Sequence, residues 1–158
     1  MQNIDNFVHS KVSDFSSKHV NDHPGYEYFR SALTPSRENP RCSIASYKIP
    51  PLKSAYPYHY HTFDEEAFYI ISGHGIIKTP KGEKTVGAGD FLFFPANETG
   101  AHKITNTSES EMLVYIDFAS YHEIDAAVYP DSGKVGVWGG GINKVFRITD
   151  AVDYYDGE

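Results

Sequence analysis

Along most of this chain apolar and polar residues alternate in short runs, and the runs are separated by glycine and proline. Ser43–Ile49 (SIASYKI), Tyr58–His61, Glu66–Ser72 (EAFYIIS), Gly75–Thr79 (GIIKT), Glu83–Val86, Phe91–Phe94 (FLFF), His102–Asn106 and Met112–Phe118 (MLVYIDF) each read as a strand. Pro50-Pro51, Gly73, Pro80-Lys81-Gly82, Gly87-Ala88-Gly89-Asp90 and Pro95 punctuate them. Many short strands at close spacing predict an all-β fold, a sandwich or closed barrel. No segment of helical period interrupts the series.

The flanks read differently. Asp5 to Ser17 has sparse apolar positions (Phe7, Val8, Val12, Phe15) that suit one short amphipathic helix. After His23-Pro24-Gly25, residues 26–34 (YEYFRSALT) suit a strand, followed by a proline-bearing loop. After Ser120 the alternation weakens. Tyr129-Pro130-Asp131-Ser132-Gly133-Lys134 and Gly139-Gly140-Gly141 are loop signals, with Lys144–Ile148 as a last strand and an acidic, tyrosine-bearing end.

Composition narrows the function classes. The chain has 158 residues, the size of a single domain over 1–158, with a barrel at about 41–120, an N-terminal extension over 1–40 and a wrapping tail over 121–158. Aromatic residues make up 15%, with 12 Tyr and 10 Phe, which suits pleated, half-buried surfaces. The net charge of -7 and the lack of a basic run argue against nucleic-acid partners. Cys42 is the only cysteine, so no intrachain disulfide forms. No stretch has membrane-spanning length, and the N-terminal segment lacks a basic region followed by an apolar one. A cytoplasmic protein, without membrane partners, is the expectation.

The chemistry concentrates in Pro57-Tyr58-His59-Tyr60-His61-Thr62-Phe63-Asp64-Glu65-Glu66. His59 and His61, two residues apart on an extended segment, point to the same side and can converge inside a barrel. Glu66 opens the next strand on one face with Phe68 and Ile70. A His-x-His pair alone is weak. Here Glu66 is followed at six residues by Gly73, and later come Gly89, Pro95, His102 and Asn106. These two stretches, spanning residues 59–106, resemble the paired motifs of the cupin family, in which Gly73, Gly89 and Pro95 stand at strand turns.

That resemblance implies a cupin jelly-roll barrel and makes His59, His61, Glu66 and His102 the counterparts of the family's three-His, one-Glu metal ligands. Three imidazoles and a carboxylate suit one divalent transition metal ion, with Mn, Fe, Zn and Ni all compatible. The register leaves Glu65 as an alternative to Glu66. The run from Pro95 to His102 is two residues longer than the family's usual form and has Asn97 for glycine. Asparagine tolerates the left-handed conformation, so the turn is expected to survive. Towards the C-terminus, the Tyr129–Lys134 segment and the closing Asp153–Glu158 resemble a small-cupin subgroup described as sugar-phosphate-isomerase-like.

The expected function is a metal-dependent enzyme acting on a small polar molecule bound in the barrel, with isomerase, dioxygenase and decarboxylase chemistry all open and Glu66 as the catalytic group. The alternatives are a non-catalytic module that binds a sugar or carboxylate through the metal, and a purely structural ion. Small cupins generally dimerise, which makes a homodimer the expectation, with residues 26–34 as an edge strand for pairing. Tyr58, Tyr60 and Phe68 are candidates for the pocket lining. Asp117 is read as facing outward, with an inward Asp117 that supports a metal ligand or acts as a general base as the alternative, and His9, His19, His23, His74 and His122 are read as surface residues.

Overall fold

The computed structural model describes residues 7–35 and 40–158. Thirteen strands carry the described chain: β1 (Lys18–His23), β2 (Tyr26–Ala32), β3 (Cys42–Ile49), β4 (Tyr60–His61), β5 (Glu66–Ser72), β6 (His74–Thr79), β7 (Gly82–Gly87), β8 (Phe91–Phe94), β9 (Lys103–Asn106), β10 (Leu113–Ser120), β11 (Ile124–Tyr129), β12 (Lys134–Gly139) and β13 (Ile142–Arg147). One sheet has the order β1-β2-β3-β10-β5-β8, a second β13-β12-β11-β4, and a third β7-β6-β9. Every strand pairing is antiparallel. The architecture is an all-β jelly roll of the cupin type, as the alternation and the two motifs implied.

Period-two alternation explains where the core lies. Ala45, Tyr47 and Ile49 on β3, Phe68 and Ile70 on β5, and Leu113 and Tyr115 on β10 point inward and pack with Ile77, Val86, Phe94 and Ile104. Tyr47 stacks on Tyr115 with ring centroids 5.1 Å apart. Asn106, fully buried, ties the end of the core: its side-chain amide donates to the carbonyls of Ile49 and Glu111, each at 2.8 Å, and its oxygen accepts from Ser108 N. Gly73, at φ 79°, makes the β5–β6 turn where a Cβ would lie 2.3 Å from Met112 O. Gly89 lies between β7 and β8, and Pro95 directly follows β8.

Four local expectations are corrected. Asp5 falls outside the described residues, and over 7–17 the only helical turn is a 3₁₀ turn at Val12–Asp14. Phe7, Val8 and Val12 are all exposed, so no buried face supports a helix there. The next residues instead form β1, hairpinned to β2. Residues 26–32 are therefore not an edge strand; β1 holds the edge and β2 lies between it and β3. Asp117 faces inward and is buried, because Leu113 and Tyr115 on the same side of β10 face Ile49 and Ile70 across the sheet. Asn97 does not adopt the left-handed conformation. Its φ is -174°, and its side-chain oxygen accepts from Thr99 N at 2.9 Å, capping a 3₁₀ turn at Glu98–Gly100 that absorbs the two extra residues.

Beyond Ser120, β11 and β12 are strands where the sequence pattern was weak, and the loop signals at 129–134 and 139–141 are their turns. β11 pairs with β4, setting Ala127 opposite His61 and Val128 opposite Tyr60. No helix among the described residues is long and apolar enough to cross a membrane.

Candidate metal centre

His59 and His102 face each other as a two-way backbone bridge, His59 N to His102 O at 3.1 Å and His102 N to His59 O at 2.8 Å. This bridge brings two segments 43 positions apart in the chain into contact. His61 lies on β4 and Glu66 begins β5, so the sharp turn over 62–65 lays the carboxylate across from both histidines. Glu66 Oε2 is 3.2 Å from His102 Nε2, 3.5 Å from His61 Nε2 and 4.0 Å from His59 Nε2. The four residues singled out from the sequence thus converge on one point. Glu65 is exposed, with its backbone N bonded to Ser120 Oγ, and points away.

The other ring nitrogens explain the direction of these histidines. His59 Nδ1 donates to Pro57 O at 2.8 Å, and His102 Nδ1 donates to Gly100 O at 2.9 Å. A carbonyl can only accept, so the proton of each neutral ring sits on Nδ1 and Nε2 keeps a bare lone pair. His61 Nδ1 is bonded to Asp125 Oδ2. Asp125 is itself fixed, because its other oxygen accepts from Phe63 N at 3.0 Å and Asp64 N at 3.4 Å. Phe94 stacks on the His102 ring with centroids 3.7 Å apart, and Phe68 meets it edge-on at 5.3 Å.

The electrostatics follow from this packing. Burial, reinforced by the neighbouring His102, lowers His59 to about 4 and holds it neutral. Burial opposes ionisation of Glu66, but positive charge placed among His102, His61 and His59 outweighs it and holds the carboxyl low, a charge that a bound cation would supply with the three rings neutral. Burial likewise opposes charge on His61 and on Asp125, yet their mutual hydrogen bond raises the first and lowers the second. Glu66 Oε2 is buried and has no hydrogen-bond donor.

A buried carboxylate oxygen without a donor, facing imidazole nitrogens whose lone pairs point at it, is an assembly of acceptors. Such an assembly is costly on its own and suits a cation. Three nitrogens and one oxygen fit the donor preferences of a first-row divalent ion. His59, His61 and Glu66 meet the spacing of a metal-holding group. His61, Asp64 and Asp125 are also close together, but Asp125 is already committed to His61 and to the 62–64 backbone.

An open cleft of about 240 Å³ leads to the cluster, walled by Tyr47, Tyr56, Ala127, Tyr129 and Trp138. Two of the expected lining residues are elsewhere. Tyr58 is buried under Lys78 Nζ, 4.3 Å from its ring centroid, and Tyr60 lies outside this wall. Phe68 lines the smaller interior cavity behind the cluster. His9, His19, His23, His74 and His122 are exposed. The sequence reading missed Asp125 and Tyr129. Both lie on β11, whose IDAAVY run has no polar alternation to mark it as a barrel wall.

Residues 46–118 match the family described as Cupin domain. These 73 residues, just under half of the chain, are similar to a cupin domain. The structure is similar to a protein of Acidithiobacillus ferrooxidans described as a candidate sugar phosphate isomerase, with 26% identity and a TM-score of 0.79 over 90% of this chain and 91% of that one. A cupin described as a sugar phosphate isomerase from Silicibacter pomeroyi shares the fold at a TM-score of 0.79 and 15% identity, covering 92% and 96%. A protein of Thermotoga maritima described as a predicted oxalate decarboxylase shares it at 0.62 and 23% identity, covering 73% and 100%. No curated protein matches this chain in sequence.

Proposed function

We propose that this protein is a metal-dependent enzyme acting on a small polar molecule, its ion held by His59, His61, Glu66 and His102. The observation that carries this reading is Glu66 Oε2, a buried carboxylate oxygen without a donor among imidazole nitrogens that present lone pairs. Mn, Fe, Zn and Ni all suit this donor set. A bound divalent ion supplies Lewis-acid polarisation of a ligand oxygen. The chain's own residues do the rest. Asp125 fixes the tautomer of His61, the Pro57 and Gly100 carbonyls fix those of His59 and His102, and Phe68 and Phe94 keep water from the inner side. Glu66 is the carboxylate positioned to move a proton at the substrate.

Isomerase chemistry is favoured over the dioxygenase and decarboxylase readings, because the neighbour at 26% identity, matched over 90% of this chain, is described as a candidate sugar phosphate isomerase. We place the protein in the cytoplasm, where a single cysteine needs no oxidising partner.

Elemental analysis of untagged protein should find about one divalent ion per chain, as expected for a four-ligand site, and His59→Ala and His102→Ala should each lose it. Wild-type protein that takes up no ion after reconstitution would sink the reading. Given the ion, turnover of a panel of phosphorylated sugars above the His102→Ala background supports the isomerase. Saturable binding without chemical change would make the protein a binding module instead.

We also propose a homodimer. The outer face of the six-stranded sheet carries Tyr69, Phe91, Phe93 and Phe118, between 42% and 65% exposed, and its edge strands are β1 and β8. Aromatic area of this size is characteristic of a covered surface, and sheet edges invite pairing. Sedimentation at micromolar concentration should give twice the chain mass; a monomer there rules the dimer out.

A further inference from the structure

One buried polar group has no task in the scheme above. Asp117 lies in the middle of β10, is 8% exposed, and its Oδ1 is buried without a hydrogen-bond partner. It lines the same interior cavity as Glu66, His59, His102 and Tyr47. Ala45 and Phe68 flank it across the sheet. Glu66, two residues before Phe68 on the same face, is its diagonal neighbour, a relation that sets the two backbones about 7–8 Å apart. The charged groups around it are Arg30 from β2, Glu66 from β5 and His61 from β4. Arg30 Nε donates to the Tyr47 hydroxyl at 2.9 Å, and no salt bridge among the described residues reaches Asp117.

Leaving a carboxyl oxygen buried and unpaired costs free energy that a leucine at the same position would not. Such a cost, kept inside an otherwise apolar wall, is offset if the partner arrives with the ligand. Burial, and after it the charge of Glu66, push the Asp117 carboxyl well above its ordinary range and outweigh Arg30 and His61. In either protonation state its oxygen accepts a hydrogen bond from a ligand hydroxyl.

We propose that Asp117 contacts the ligand directly, hydrogen-bonding the hydroxyl of a small hydroxy-carbonyl or hydroxy-carboxylate compound whose adjacent oxygen sits at the His/Glu cluster. This rests on the metal-site reading. Asp117 shares its cavity with Glu66, His59 and His102, and Phe68 and Tyr115 supply apolar wall there, so the ligand oxygen next to the one at the cluster is the group placed to meet it. A ligand without the hydroxyl leaves the acid unpaired, so the site discriminates by what it fails to satisfy.

The test compares glycolate with acetate by calorimetry on Mn²⁺-loaded wild type, Asp117→Asn and Asp117→Leu. Wild type should bind glycolate roughly 10- to 100-fold more tightly than acetate, as expected for one hydrogen bond to a buried polar group. Asp117→Leu should bring that ratio near one with acetate affinity unchanged, and Asp117→Asn should retain part of it. Metal-free Asp117→Leu should melt several degrees above wild type, which a purely structural Asp117 would not allow. An unchanged ratio in Asp117→Leu, a lowered melting temperature, or no binding of either acid to Mn²⁺-loaded wild type overturns the proposal while leaving the metal site standing. Wild type that takes up no Mn²⁺ overturns the metal-site reading and this proposal with it.

Discussion

Glu66→Gln should lose metal and gain stability. The substitution removes the one negative charge among the four proposed ligands, and metal affinity should fall at least about 100-fold, beyond the 10- to 100-fold typical of outer-shell changes. In metal-free protein the same change puts an amide donor where Oε2 has none, within 3.2–4.0 Å of three imidazole nitrogens. The amide can donate to a bare lone pair, so the metal-free fold should gain about 1–2 kcal/mol, or roughly 2–8 °C in Tm for a chain of this size. Thermal melts in chelator at about pH 8.5, where His61 is driven towards its neutral form, read the second effect. A structural salt-bridge cluster with protonated histidines predicts the opposite sign, because the glutamine would then strip three cations of their counter-charge. A lowered metal-free Tm would therefore reject the acceptor-cluster account.

The second large effect comes from a residue with no side chain. Gly100 ends the 3₁₀ turn before His102, and a Cβ there would lie 2.0 Å from Pro95 O and 2.9 Å from Pro95 N. Those are main-chain atoms, so Gly100→Ala forces the 95–102 segment to move. We expect a loss of about 3 kcal/mol, at the upper end for overpacking, or roughly 6–12 °C in Tm. The Gly100 carbonyl, which moves with that segment, holds His102 Nδ1, so bound metal should fall with stability. A Gly100→Ala protein with wild-type Tm and metal content would show that the segment has slack and that the close approach does not set the position of His102.

How much of this was legible in the sequence differs by level. The central strands were, because β5 buries Phe68 and Ile70 and exposes Tyr69 and Ile71, which imposes period two, while β3 and β10 are short apolar runs bounded by turn residues. The four converging residues were also legible, since a His-x-His on an extended segment fixes a common direction and the spacing to Glu66 and His102 resembled a known pattern. β1 was not, because five of its six residues are exposed and its pairing with β2 leaves no apolar signature. β11 was missed for the converse reason, since its small and mixed residues hide the buried Asp125 and Ala127. Asp117 could not be placed from alternation alone, because MLVYIDF is apolar on both faces and only the partner strands decide which side is interior.

The tautomers of His59 and His102 are dictated by main-chain carbonyls, those of Pro57 and Gly100, and only His61 depends on another side chain. In evolutionary terms this makes the centre tolerant. Substitutions in the surrounding walls can reshape what the cleft admits without reversing the direction of two of the three nitrogen lone pairs, since every residue type brings the same carbonyl. Only a change in backbone path, or the loss of Asp125, alters the donor set. A lineage with this scaffold can thus explore new substrates while its ion-holding chemistry stays fixed.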